Sequence, residues 1–514
     1  MRIGVDVGGT NTDAVALEGA EILASIKTAT TEDISAGVVN AIRDVVVLSG
    51  KRVADINSVM IGTTQFTNAF VQARGLEKVG IIRLGAPATR ALPPMVAWPE
   101  AMKAAVYGNA AILPGGYQVD GSPITPLDTA AIKQVAREFA DQGLETVAIS
   151  CVFGPLNPDA EKHCAETVAE IMPGASITQA TDIGRLGLLE RESAAIMNAS
   201  LRTLAGKVID AFGDALAQLG ITAPLYITQN DGTLMQSSAV KQFPVLTFAS
   251  GPTNSMRGAA FLTGQSEAIV VDIGGTTTDV GVLSAGFPRE SSINVDIGGV
   301  RTNFRMPDIL SIGLGGGSLV TDDAIGPRSV GHAITEQARV FGGETLTATD
   351  IAVASGRAEI GDASRLADLA PEQVRQADTK IQQMLAESID RMKTRSGDVV
   401  VILVGGGAIL AADELPGADQ LLVPEKFGVA NAVGAAIAQV GGEIDRVVSF
   451  EQVGREEALA SLKASAIDQA VRAGAQREST EIVDIEELPL AYVPGQSVRV
   501  RVKAVGDLPL GEQA

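Results

Sequence analysis

The chain has 514 residues, with 40 lysines and arginines against 61 aspartates and glutamates, a formal charge of −21. That balance argues against nucleic acid or an anionic membrane as a partner. Two cysteines, Cys151 and Cys164, and two histidines, His163 and His332, are too few for a cysteine-rich zinc or iron–sulfur site within one chain.

Apolar residues make up 46% of the sequence and aromatic ones only 4%, so small aliphatic side chains fill the cores, as in parallel-sheet α/β proteins. Length suits two to four domains. The chain opens on a strand with no charged-then-apolar leader, and its longest apolar stretch, 399–412, is cut by glycines. A reduced, cytoplasmic setting is expected.

Residues 3–13 read I-G-V-D-V-G-G-T-N-T-D. An apolar strand ends in Asp6, a Gly8-Gly9-Thr10 turn follows, and a second apolar run turns back. Glu21–Thr28 adds a third strand, and Thr31-Glu32-Asp33 caps a helix with Ile34, Val38, Ile42 and Val45 at helical spacing. Ser58–Ile61 is a short buried strand ending in Gly62-Thr63-Thr64. Residues 83–126, dotted with proline and glycine, read as loops over a cleft or a small inserted lobe. From 128 onward helix, strand, helix and strand alternate to 178, which means a doubly wound sheet. A long helix over 188–219 follows, then a strand at 225–228. Phe248–Pro252 is expected to end a strand and open a small-residue helix.

Residues 269–279 then repeat the opening phrase as I-V-V-D-I-G-G-T-T-T-D. Glycine is needed in such a turn for positive φ and for close backbone approach to a ligand. Successive N–H groups with hydroxyls make an anion-binding nest, and the neighbouring carboxylate can hold a divalent cation through water. Two copies matching in D-x-G-G-T-x-T-D read as two phosphate-binding hairpins facing one nucleotide. Asp6 and Asp272 are the metal-side carboxylates. Gly8, Gly9, Thr10, Asn11 and Thr12 on one side, and Gly274, Gly275, Thr276 and Thr277 on the other, are the phosphate contacts. Strand 308–312 runs into Gly315-Gly316-Gly317-Ser318, and Val399–Val404 into Gly405-Gly406-Gly407-Ala408; both glycine-rich ends are candidate nucleotide loops. Residues 321–349 have loop composition, 350–395 are helical, and a helix spans 429–439. The remainder, from about 441, reads as a helix and two strands.

The duplicated hairpins with a late glycine loop resemble the actin/Hsp70/sugar-kinase superfamily. Further ordered pieces are similar to the A-type subunit of the hydantoinase/oxoprolinase family: Gly62-Thr63-Thr64 with Thr67-Asn68-Ala69, Asn157-Pro158 with Glu161, Glu190-Arg191-Glu192-Ser193 with Asn198-Ala199, Ser250-Gly251-Pro252, the 312–318 loop, and Tyr492-Val493-Pro494-Gly495-Gln496. Ile61 stands where the family has a histidine before G-T-T. Gly331-His332-Ala333 and Phe341-Gly342-Gly343 occupy the region of its P-G-P-x-C-Y-G stretch.

The resemblance implies an α/β fold of two RNase H-like lobes with a small C-terminal α+β appendage, divided as 1–190, 191–440 and 441–514. It implies ATP and Mg²⁺ as cofactors, and transfer of the γ-phosphoryl group to the carbonyl of a cyclic amide such as a hydantoin or 5-oxoproline. Ring opening would need a separately encoded B-type partner; self-association into a homo-oligomer stays open. Asp6, Asp272, Glu190 and Arg191 are the catalytic candidates. An ATP-binding switch or a small-molecule kinase on the same scaffold is the alternative. His163, His332 and Cys151 read as surface or core residues without chemical roles.

Overall fold

A computed structural model describes residues 1–8, 11–29, 34–291, 294–321, 323–397, 399–491 and 495–509. The opening meander is Arg2–Val7, Asn11–Glu18 and Glu21–Ala29. Every residue of the first strand after Arg2 is buried, because it lies inside a sheet: antiparallel to the second strand and parallel to Ser58–Thr63. Helix Ile34–Ser49 lays Val38, Ile42 and Val45 on that sheet, the 3.6-residue spacing placing them on one face. Its expected cap, 31–33, lies outside the described residues.

The sheet continues through Leu225–Thr228 and Thr233–Gln236 to Gln439–Ser449, Ser497–Gly506 and Glu481–Pro489, nine strands in all. Two expectations change here. Residues 225–236 belong to the first lobe's sheet, not to the second lobe. The C-terminal segment does hold its helix, Arg455–Arg472, and two strands, but they extend the first sheet through the long strand 439–449. That strand joins by only two parallel pairs, Thr233↔Gln439 and Leu234↔Val440, while ten antiparallel pairs tie it to 497–506. Gly441 and Gly442 weaken its local strand signal.

The alternating stretch forms its own four-stranded parallel sheet, ordered Tyr107–Pro114, Val79–Ala86, Thr146–Cys151, Ser176–Gln179. Residues 83–126 are therefore less irregular than expected, since Pro114 closes a strand and leaves its ladder intact. Helix Leu188–Gln218 packs this sheet against the first. Fully buried Arg83 and the Glu192 carboxylate pair across the junction, with Nε to Oε2 at 2.7 Å and the Ser150 hydroxyl donating to the same carboxylate at 2.8 Å.

The second lobe is built on Ala268–Ile273, Thr278–Ser284, Ile309–Ile312, Val399–Val404 and Ala418–Leu422. Instead of a strand, a turn of 3-10 helix, Pro244–Thr247, leads into helix Ser250–Thr263. The Asn230 side chain accepts from Ala249 N at 2.8 Å and so fixes that entry.

Helix Ser250–Thr263 crosses helix Ala430–Ile437 between the lobes. A Cβ at Gly258 would lie 1.8 Å from Ala430 O, and one at Gly434 1.8 Å from Asn254 O. The two backbones touch, and only glycine permits it.

Candidate nucleotide cleft

The two hairpins are built alike. Asp6 pairs with Asp13 and Val7 with Thr12 on the first; Asp272 pairs with Asp279 and Ile273 with Thr278 on the second. Gly8 N donates to Asn11 O at 3.0 Å, and Gly274 N to Thr277 O at 2.9 Å. Each carboxylate stands beside a glycine of the neighbouring parallel strand or its end. A Cβ at Gly62 would meet Asp6 Oδ1 at 2.3 Å, and one at Gly405, with φ of +84°, would meet Asp272 Oδ1 at 2.1 Å.

Both hairpins face one cleft of about 670 Å³. Gly8, Asn11, Asp13, Asp272, Gly274, Gly275, Thr276, Thr277, Gly316, Gly405, Gly406 and Gly407 all line it. Gly9 and Thr10 lie outside the described residues. Gly315, Gly317 and Ser318 stand behind the second hairpin: Gly316 N and Gly317 N donate to Gly274 O and Gly275 O at 3.0 and 2.8 Å, and the Ser318 hydroxyl accepts from Gly315 N at 2.8 Å. Thr12 is buried in its strand and not among the lining residues.

Residues that the sequence reading passed over complete the cleft. The Asn254 amide donates to Asp6 Oδ1 at 3.1 Å, and the Asn431 amide to Asp6 Oδ2 at 3.0 Å and Asp13 Oδ2 at 2.9 Å. Ser255, next to Asn254, hydrogen-bonds Asp272. One helix turn therefore serves both hairpins. Nothing local marks Asn254, Ser255 or Asn431, because their roles depend on the helix crossing. Lys27 Nζ pairs with Asp13 at 2.7 Å and lines the cleft. His332, exposed as the surface reading expects, also lines it with Ile334, Thr335 and Phe341 from the loop-like 321–349 segment.

All four hairpin carboxylates are raised by burial. Burial pushes Asp6 up to about 6 against the Asn254 hydrogen bond, and burial pushes Asp279 up to about 6 against that of Ser311. Asp13 and Asp272 are also raised by burial, opposed by Lys27 and by Ser255 respectively. Charged forms disfavoured by burial are those that an arriving positive ion stabilises.

Glu190 and Arg191 are not brought to the cleft. Fully buried Arg191 spends its guanidinium on carbonyls, donating to Arg185 O and Leu186 O at 2.8 Å each and to Cys151 O. Glu190 accepts from the Asn294 amide at 3.0 Å. Glu161, wholly buried nearby, accepts from Thr181 N at 2.9 Å and the Thr181 hydroxyl at 2.7 Å, and Asn198 donates to Gln242 O at 2.8 Å. These motif residues brace loops instead of lining the cleft. Cys151 and Cys164 are buried, their thiols pushed by burial up to about 12 in the first case and beyond the reactive range in the second. His163 bonds the Thr129 hydroxyl at 3.0 Å. Residues 492–494 of the last motif lie outside the described residues. Among the described residues no helix is long and apolar enough to cross a membrane.

Comparison with known proteins agrees with this architecture. The chain is 27% identical over 386 residues to the α subunit of caprolactamase from Pseudomonas jessenii, covering 69% of this chain and 54% of that protein. It is 27% identical over 391 residues to the γ subunit of acetophenone carboxylase from Aromatoleum aromaticum, covering 69% and 53%. It thus spans about half the length of these curated relatives. The solved ATP-dependent caprolactamase from Pseudomonas jessenii superposes with a TM-score of 0.78 at 20% identity, over 99% of this chain and 89% of that one. The chain shares the mixed α/β fold of that solved protein, with two sheet-centred lobes and a C-terminal α+β segment. The hydantoinase/oxoprolinase N-terminal region matches residues 2–172 and the hydantoinase/oxoprolinase model residues 191–362, so the chain belongs to the hydantoinase/oxoprolinase family.

Proposed function

We propose that the protein binds ATP in this cleft and passes its γ-phosphoryl group to the carbonyl oxygen of a cyclic amide, as an A-type subunit working with a B-type partner. The observation that carries the reading is convergence: two hairpins of identical register, Gly316 and Gly405–Gly407 meet on one cavity. Phosphoryl transfer asks mainly for positioning and charge neutralisation, which turn N–H groups and a cation held by a carboxylate would supply without a nucleophile of the protein's own. Asp272 offers hard oxygen donors in the glycine-lined recess, which suits Mg²⁺; held by Asp272, the ion would offset phosphate charge. Asp6 stands behind the lining, its two oxygens accepting from the amides of Asn254 and Asn431. Thr64, which caps helix Gln65–Val71, and Asn68 within it line the same cleft, and in this proposal they face the acceptor.

The lobes that enclose the nucleotide follow the sheets in this proposal, with 1–249 and 430–509 on one side and 250–429 on the other. The acceptor oxygen bonds to the γ-phosphorus as the bond to the bridging oxygen breaks, and ADP leaves with that electron pair. The phosphorylated carbon is then open to water in a partner's site.

A switch-like reading draws on Ile61. Its side chain is fully buried in the main core, so this chain has no acid or base there. The experiment is a thermal-shift titration with Mg·ATP beside product analysis on hydantoin and 5-oxoproline. The expected result is stabilisation of about 2.7 kcal/mol at a hundredfold excess over Kd, with no ring-opened product from the chain alone. Absence of any nucleotide effect overturns the proposal; ring opening by the isolated chain overturns the need for a partner.

A further inference from the structure

We propose that Lys27 is a catalytic residue of this cleft, its ammonium group leaving Asp13 to hold the γ-phosphoryl oxygens of bound nucleoside triphosphate during transfer. The inference rests on the nucleotide reading above and adds the residue that carries the positive charge.

Four observations support it. Lys27 lies directly across the strand ladder from Asp13 and reaches the cleft, its side chain 36% exposed against 2% for the carboxylate that it pairs with. Among the described lining residues the only other basic side chain is His332, on the opposite lobe. The equivalent place on the second hairpin holds no cation: Asp279 faces Ser311, whose hydroxyl donates to it. Finally, Asp13 does not depend on the lysine alone, because the Asn431 amide also donates to it at 2.9 Å. Lys27 can therefore move without leaving a buried carboxylate unpartnered.

The charge balance favours such a group beside the proposed cation. Asp6, Asp13, Asp272 and Asp279 already crowd the hairpins, and a triphosphate brings further negative charge. As the acceptor oxygen bonds to phosphorus and ADP departs with the electron pair of the broken P–O bond, Lys27 keeps its proton and holds the equatorial oxygens. A preorganised donor of this kind is worth roughly a hundred- to a thousandfold in turnover.

The test compares Lys27→Met, which keeps the apolar stem, with the parent in thermal shift against Mg·ADP and Mg·ATP and in ADP release. Expected are unchanged ADP affinity, ATP affinity weakened about tenfold, and turnover lowered about a hundredfold, with Lys27→Arg recovering part of both. The double variant Lys27→Met with Asp13→Asn, which removes the leftover charge, must show the same ATP-specific loss. Parent-like ATP affinity and turnover in either variant overturns the assignment, as does equal loss of ADP and ATP. A parent stabilised by neither nucleotide overturns this inference and the nucleotide reading together.

Discussion

The two hairpins share a sequence phrase and a register but not their surroundings. On the first, Asp6 is held from both sides by the amides of Asn254 and Asn431, and Asp13 by Asn431 and Lys27. On the second, the partners are hydroxyls, Ser255 at Asp272 and Ser311 at Asp279. In the proposed reading the duplicated backbone sets where phosphate lies, and the unlike partners break the symmetry. A nucleotide has one reacting end and one leaving end, and a two-fold-like pair of turns can serve it only if the side chains differ. On the proposed reading, the lysine and the second amide would make the first hairpin the reacting side.

The sharpest way to break this comparison is to neutralise each hairpin's first carboxylate. On the proposed reading, Asp272→Asn and Asp6→Asn should each lower ATP turnover by at least about a hundredfold. The first removes charge that lines the cleft, the second charge that holds Asn254 and Asn431 against the first hairpin. ADP release measures the loss, and unchanged circular dichroism shows that the fold survives. If one variant turns over like the parent, that hairpin is only a turn.

Next in size is the joint that lets one helix serve both hairpins. Gly258→Ala places a methyl group against Ala430 O, where the gap is 1.8 Å. Such overpacking against backbone should cost about 3 kcal/mol, read from urea midpoints. A cost near zero would mean that the helices part easily and do not couple the lobes.

How much of this was legible beforehand follows the range of the interactions. The hairpins, the glycine loops and most helices were readable because a β-turn or an amphipathic face is written in adjacent residues, as in Asp6–Asp13 and Ile34–Val45. The family resemblance supplied the two-lobe fold. What escaped was long-range. Strand 439–449 joins the first sheet only by meeting residues some two hundred positions earlier. Asn254, Ser255 and Asn431 become site residues through a helix crossing that no window reveals. Glu190 and Arg191 misled for the opposite reason: a motif can persist because it braces a loop, and adjacent charges do not say whether they face a ligand or a carbonyl.

The smallest predicted effect concerns pH and separates the hairpins' second carboxylates. Asp279 is pushed up to about 6 by burial, its ordinary value being 3.8. Between those values the native chain still holds a proton that the unfolded chain has released. Stability therefore falls as pH rises across that window and stays lower above it. Asp279→Asn removes the ionisation while its side-chain oxygen can still accept from Ser311. Without nucleotide, the variant should match the parent near pH 4 and exceed it near pH 7, by about 1–2 kcal/mol once partial exposure is allowed for. Asp13→Asn should gain less, because Lys27 opposes the burial of Asp13 and would be left without its ion pair. Urea midpoints for both variants across that range provide the measurement. An equal gain for the two would mean that Lys27 does not stabilise the Asp13 carboxylate, and the contrast between the hairpins would lose its electrostatic basis.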